Sequence, residues 1–416
     1  MLLFDRLRHG MMSGMQLTRI QRNMASDQLG PYHAYGKINW SLLITGVRED
    51  GYHLLDTVMQ RIDLCDEITL IPADSWSVSC SDRRAPRDAS NTALVAARAY
   101  AAAAGLRDAY HIAIEKRIPV GAGLGGGSAD AAAVLSALNE KYAALTEQEL
   151  LALALSVGAD VPFCLAGGCA RCTGVGEVMA PARGGEYHLV VAGCGANLST
   201  AAVFRHYDGL VAAEGTDVRF DPALLGWAEP APECDEPFHF DDEEGEDEPP
   251  AKIIPEHPVR YAHAQKRLRQ LSVRTGGQLT ADLVHALSTG NAEAVAKALN
   301  AFSRRVRGND PFRAAMVGDT PCDERYAAEA DCMLCIAGSH ELLCGANDLT
   351  FAACDLAPGV AETLLRLRRA GALATSMSGS GSACFGLFSN RESAEHAAES
   401  LSDLPFCAAC STLKAD

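Results

Sequence analysis

The chain is 416 residues long, with 48% hydrophobic residues and a formal net charge of −17. That length suggests two domains, or one large domain with insertions, and the apolar content supports a substantial core. The acidic balance disfavours nucleic acid and anionic membrane as partners, and no run approaches the roughly 18 apolar residues of a membrane span.

The first 30 residues lack the continuous apolar region of a secretory signal. They read as a flexible extension, with Met15 and Met24 as alternative starts, and the cytoplasm is the expected location. From about 32 to 72 two strands are expected, "AYGKINWSLLITG" and "LDTVMQRIDLCDEITLIP", joined by the polar turn "VREDGYHL" with Gly51. A helix at 91–106 closes at Gly105, and "YHIAIEKRIP" is another strand.

The next stretch is the most informative. In "RIPVGAGLGGGSADAAAVL" (117–135), glycine fills five of the seven positions from 121 to 127, more than a tight turn needs. Glycine lets backbone approach an anion closely and takes positive φ without steric penalty. "SADAAAVLSALNEKY" reads as a helix capped by Ser128 or Asp130, with Val134, Leu135 and Leu138 as its apolar stripe. A loop of free N–H groups running into a helix N-terminus is a phosphate cradle. Two better-known phosphate motifs fit less well. Gly121, Gly123 and Gly126 satisfy G-x-G-x-x-G, but no acidic residue stands where a dinucleotide ribose needs one. The P-loop pattern fails at Gly127, where its lysine belongs.

Beyond it, "TEQELLALALSVGAD" (146–160) is a helix ending near Gly158, and "EYHLVVAGC" is a strand. The mixture suggests an α/β or α+β domain up to about residue 195. Residues 229–258 are rich in acid and proline and read as disordered; they lack the spacing of a calcium loop. A helical pair follows at 280–306 and a helix at 357–372. A small-residue turn then enters a strand at 375–388, and "ESAEHAAESLS" is the last helix. The 15 cysteines include three C-x-x-C pairs, Cys169/Cys172, Cys332/Cys335 and Cys407/Cys410. Reduced thiols are expected of all of them, and period two puts Cys169 and Cys172 on opposite faces of a strand, against a shared zinc or redox site.

Three polar spots stand beside the glycine loop. Lys37 and Asn39 share one face of a half-buried strand, Asp160 sits in "GADVPF", and Ser378–Gly381 form a second glycine–serine turn. A small-molecule kinase needs a phosphate cradle, a positive charge, and a group that takes or orients the acceptor's hydroxyl proton. The glycine loop, Lys37 and Asp160 supply one of each. Singly, Lys37 also reads as a snorkelling lysine and Asp160 as a helix cap; together they favour the kinase.

The stretches "GKINWSLLITGVREDGYHLLDTVMQRIDLCDEITL", "KRIPVGAGLGGGSADAAAVLSALN", "GADVPFCLAGGCARCTGVGE", "NDL" at 347–349 and "SMSGSGSACFGLF" resemble the GHMP superfamily of small-molecule kinases. "DGYH" resembles the branch whose substrate is a cytidyl diphosphate sugar alcohol, not those acting on homoserine, mevalonate or galactose. The resemblance covers roughly 34–205 and 345–390 and implies a two-lobed α+β fold. Its N-terminal lobe (31–195) is S5-like and its C-terminal lobe (196–410) ferredoxin-like, with an insertion at about 206–340 that contains the acidic part.

The resemblance also implies the chemistry. ATP would transfer its γ-phosphate to the 2-hydroxyl of a cytidyl diphosphate-linked methylerythritol, a step in non-mevalonate isoprenoid precursor synthesis. Asp160 takes or polarises the hydroxyl proton, with Lys37 paired to it and Asn39 beside the hydroxyl. Tyr52, His53 and Phe204 hold the cytosine. The phosphates fall on Pro119, Val120, Gly121, Ala122, Gly123, Leu124, Gly125, Gly126, Gly127, Ser128 and Ala129, and Mg²⁺ is expected without identifiable ligands. Neither a protein nor a nucleic-acid partner is implied. The chain departs from the family at Gly36, usually alanine, at Ala129, usually serine, and in the length between Phe204 and Asn347. Three alternatives stay open: a GHMP kinase for another alcohol, a non-catalytic binding or scaffold protein on the same fold, and a dinucleotide oxidoreductase.

Overall fold

The computed structural model describes residues 28–212, 276–304, 335–336, 341–342 and 346–414. The acidic segment 229–258, Cys332, and all but the end of the expected extension lie outside these residues. Strand β1 (Leu29–Val47) already includes residues 29 and 30, so the first lobe reaches slightly past the expected boundary.

β1 and β2 (His53–Ala73) form one long antiparallel hairpin, paired from Leu29↔Leu70 to Val47↔His53 with four register shifts along it. Gly51 turns it with φ +86°, a left-handed conformation cheap only for glycine. One edge of β2 carries β1. The other is shared between β5 (Cys169–Gly174), on residues 55–60, and β4 (Ala109–Glu115), on residues 67–73. β3 (Ser77–Cys80) joins β4 in parallel, and β6 (Val178–Ala182) joins β5, completing six strands. Helices α1 (Thr92–Ala104), α2 (Gly126–Tyr142), α3 (Glu147–Val157) and α4 (Val161–Ala166) bury their apolar sides with Ile68, Leu70, Ile112 and Ile114 of this sheet. The ends of α1 follow the sequence. Asn91 accepts from the N–H groups of Ala93 and Leu94, and Gly105 ends the helix at φ +65°.

The second sheet holds β7 (His188–Gly193), β10 (Ala374–Met377), β11 (Ala383–Phe388) and β12 (Phe406–Ser411), all antiparallel in the order β10-β11-β7-β12. Its helices are α5 (Thr200–Ala212), α8 (Thr350–Leu356), α9 (Gly359–Arg369) and α10 (Arg391–Ser400). Between α5 and α8 lie α6 (276–288), α7 (Ala292–Arg304) and the short ladder of β8 (Cys335–Ile336) with β9 (Glu341–Leu342). β7, α9, β10, β11, α10 and β12 follow the β-α-β-β-α-β order of a ferredoxin-like lobe. The fold is the expected two-lobed α+β architecture.

Two boundaries fall elsewhere than expected. β7 pairs within the second sheet, so the lobes divide before His188 and not near 195; a strand's pattern does not say which sheet it joins. The span 206–340 also contains core. Tyr207 and Leu210 are buried on α5, and Leu283, Leu287, Val295, Leu299 and Phe302 of α6 and α7 are buried among residues of both sheets. The helical pair therefore caps the inter-lobe core and is no peripheral insertion.

That shared core sets the lobes against each other. Trp40 of β1 is fully buried, edge-on to Tyr187 at 5.7 Å and to Phe385 of β11 at 5.4 Å. Its indole N–H donates to Gln60 Oε1, and the Gln60 amide donates to the Gly185 carbonyl. Truncating such a residue to alanine costs about 3–5 kcal/mol. A cleft between lobes joined this way keeps its geometry.

Candidate active site

A cleft of about 920 Å³ opens between the lobes, a volume suited to small-molecule ligands. β1 brings Lys37 and Asn39 to it on one face, as period two predicts. Lys37 Nζ donates to Asn39 Oδ1 at 2.6 Å and stands 3.3 Å from Asp160 Oδ2. Asn39 is itself oriented, because its Nδ2 donates to Thr57 Oγ1 at 2.8 Å and that hydroxyl donates to the Ser41 carbonyl at 2.6 Å. The Lys37 side chain is 4% exposed and that of Asp160 37%. The ammonium is thus buried while the carboxylate reaches the cleft. Asp160 occupies the N-cap position of α4 but makes no capping hydrogen bond. Its polar partner is Lys37.

The glycine loop runs over this pair. Residues 119–128 line the cleft, and Gly121, Gly123 and Gly125 have φ of +71°, +80° and +71°. Close packing demands the glycines as much as anion approach does. A Cβ on Gly123 would sit 2.3 Å from the Ser378 carbonyl oxygen, and one on Gly121 2.1 Å from Asn197 Oδ1. α2 starts at Gly126, with Gly125 at the N-cap and no side-chain cap. Its first-turn N–H groups are therefore left for a ligand. Ser128 and Asp130 were expected as caps; both lie inside the helix instead. Ala129 was expected among the phosphate contacts. It is 2% exposed in the core of the first lobe and does not line the cleft, because the fourth residue of α2 turns away from the loop.

The second turn, Ser378–Ser382, interlocks with the first. Ser378 Oγ donates to the Gly123 carbonyl at 3.0 Å, and the Ala383 N–H donates to the Ala122 carbonyl. Asn347 holds this turn through its Nδ2, which donates to the carbonyls of Met377 and Gly379 at 2.8 and 2.9 Å. Elsewhere in the cleft stand Tyr52, His53 and Phe204. Tyr52 is 64% exposed. The His53 ring lies 4.7 Å from that of Phe204, tilted 34°, and its Nε2 is 2.7 Å from Asp208 Oδ1.

Sequence reading missed a cluster of buried charges beneath the loop. Lys116 Nζ donates to Asp66 Oδ2 at 2.5 Å and Asp130 Oδ2 at 2.9 Å, with side-chain exposures of 5%, 0% and 6%. Burial opposes the ammonium, but the two carboxylates outweigh it and hold Lys116 above its ordinary range. Burial is also the largest influence on Asp130. The nearby Asp66 charge adds to it, and together they raise Asp130 against the pull of Lys116. The signal for this cluster was the lysine of "EKRIP", immediately before the loop.

Cys169 and Cys172, the first of the paired cysteines, do not share a site. They face different clusters, and burial pushes both thiols up to about 12, far from thiolate reactivity. Among the described residues no group of three or more His, Cys, Asp or Glu could hold a metal ion, and no helix is long and apolar enough to cross a membrane.

Residues 91–168 match the family model of the GHMP kinases N terminal domain, and 337–405 that of the GHMP kinases C terminal domain. A 4-diphosphocytidyl-2-C-methyl-D-erythritol kinase of Caldicellulosiruptor bescii is 43% identical over 179 residues, 42% of this chain and 63% of that protein. One from Gloeobacter violaceus is 42% identical over 195 residues, 46% of this chain and 65% of that protein. The chain thus spans a little under two thirds of the length of these relatives. The crystal structure of a 4-(cytidine 5'-diphospho)-2C-methyl-D-erythritol kinase superposes with a TM-score of 0.55 at 27% identity, covering 92% of this chain and 98% of that one.

Proposed function

We propose that the chain, which matches the N- and C-terminal models of the GHMP kinases, is a kinase of that family and phosphorylates the 2-hydroxyl of 4-diphosphocytidyl-2-C-methyl-D-erythritol with ATP, releasing ADP. The reaction serves isoprenoid precursor synthesis by the non-mevalonate route, in the cytoplasm. One observation carries the reading: the Lys37–Asp160 pair lies beneath a glycine loop that leads into an uncapped helix N-terminus.

The geometry supports one role for each residue. The N–H groups of the loop and of the first turn of α2 take the nucleotide phosphates. Asp160, the exposed member of the pair, accepts the hydroxyl proton as the oxygen–phosphorus bond forms and the bond from the γ-phosphorus to the β–γ bridging oxygen breaks. Lys37, buried and held by Asn39, stays put beside the carboxylate and offsets negative charge at the transferring group. Tyr52 and Phe204 supply faces for the cytosine ring and His53 a hydrogen bond to its edge. Mg²⁺ bound with the nucleotide would offset phosphate charge. The sparse carboxylates around the loop fit an ion that takes one or two protein oxygens and keeps waters and phosphates as its other ligands.

The test is a coupled ATP-consumption assay on the purified chain with Mg²⁺, comparing the cytidyl substrate with homoserine and mevalonate. Turnover confined to the cytidyl substrate is the expected result. Turnover with another alcohol instead would discard the base-binding assignment while keeping the phosphate site. A folded protein that turns over none of them would overturn the proposal.

A further inference from the structure

The glycine loop is bound at both ends to one buried charge cluster. Where the chain leads into the loop, Asp66 Oδ1 accepts the backbone N–H groups of Arg117 at 2.6 Å and Ile118 at 2.8 Å. Where the chain leaves it along α2, Asp130 accepts from Lys116, whose ammonium also reaches Asp66. Lys116 thus joins the two ends. The loop passes directly over it: a Cβ on Gly126 would stand 3.1 Å from Lys116 Nζ and 3.0 Å from Ile118. Lys116 and Asp130 both reach the floor of the cleft, yet Asp130 Oδ1 is buried without a hydrogen-bond partner. A fold rarely retains such a cluster for stability alone, because desolvating three ionisable groups is expensive.

We infer that Asp66, Lys116 and Asp130 are positioning residues for the nucleotide: they form a buried clamp that fixes the span of the glycine loop, and so the spacing of the N–H groups that receive phosphate. The inference rests on the proposed ATP site. The clamp works through bridging geometry, so a neutral side chain that keeps the bridge should serve. Asparagine at 130 can still accept from Lys116 through its Oδ1 and can donate from its Nδ2. Leucine fills similar volume and can do neither.

The experiment measures the Kd for ATP with Mg²⁺ by calorimetry, and KM for each substrate, in the full chain and two variants. Asp130→Leu should weaken ATP binding and raise the ATP KM at least tenfold, with the KM of the alcohol substrate unchanged. Asp130→Asn should stay within about threefold of wild type. Equal ATP affinity in folded Asp130→Leu would overturn the clamp, as would parallel losses for both substrates, the signature of general destabilisation. If the leucine variant does not fold, Asp66→Asn makes the same test. Its amide repels the Lys116 ammonium while its oxygen can still take a backbone N–H, and it should raise the ATP KM alone; an unchanged value would overturn the clamp. Wild-type protein indifferent to ATP would remove the ATP site itself, and the clamp with it.

Discussion

Two buried lysines lie under neighbouring glycines of one loop, and their surroundings give them opposite characters. Lys37 touches the chain beneath Gly125, and Lys116 lies beneath Gly126. The partner carboxylate of Lys37, Asp160, is 37% exposed, whereas those of Lys116 are 0% and 6% exposed. A carboxylate that water and substrate can reach is able to exchange a proton during a reaction. Carboxylates buried beneath a loop and paired to a buried lysine hold it in place. Exposure of the partner, and not the identity of the lysine, separates chemistry from architecture here.

Five perturbations break or sharpen this contrast. The largest effect is expected for Asp160→Ala, which should lower kcat by about 10²–10⁴-fold with ATP affinity near wild type, because its role lies in the transition state. Steady-state kinetics beside calorimetry checks it, and near-normal kcat would remove Asp160 from the mechanism. Next is Lys116→Met, which strands two buried carboxylates and should lose about 3–5 kcal/mol of stability in urea unfolding. Lys37→Met should lose less, since water can reach Asp160, while losing far more turnover; equal stability losses would erase the contrast.

A smaller effect concerns pH. Asp130, facing Lys116 and Asp66, is pushed up to about 7, mainly by burial. The folded state then binds this proton more tightly than the unfolded chain, where aspartate titrates near about 3.9. Its stabilisation is complete below that value and is lost as pH rises through about 7. Lys116, held above its ordinary range, contributes nothing to that window because it stays protonated throughout. Unfolding midpoints from pH 4 to 8 should therefore slope downward in wild type and flatten in Asp130→Asn; identical slopes would reject the assignment. The smallest effect is a control remote from both lysines. Thr146→Ala removes the capping box of α3 and should lose about 0.5–2 kcal/mol without moving ATP affinity or kcat.

Much of the molecule is legible in its sequence. Strand β1, the hairpin turn at Gly51, α1 with Gly105 at its end, and the glycine loop leading into α2 all follow from local chemistry. Periodicity, capping and positive φ act over a few residues, so the sequence encodes them directly. Lys37 and Asn39 were legible for the same reason, since two polar groups on one face of a buried strand need a partner. Long-range pairing was not legible. Nothing local says that β7 belongs to the second sheet, that α6 and α7 close the inter-lobe core, or that Asn347 fastens a turn 30 residues further along. Asp130 looks like a helix cap because Asp favours that place; only the start of α2 at Gly126 turns it inward onto Lys116.

By itself, then, the sequence determined which segments are strand or helix, where glycine must turn the chain, and which residue types stand ready for phosphoryl transfer. Tertiary structure alone decided which carboxylate meets which lysine and how much water reaches it. Burial and charge pairing depend on elements far apart in the chain, and those two quantities separate a reacting aspartate from a clamping one.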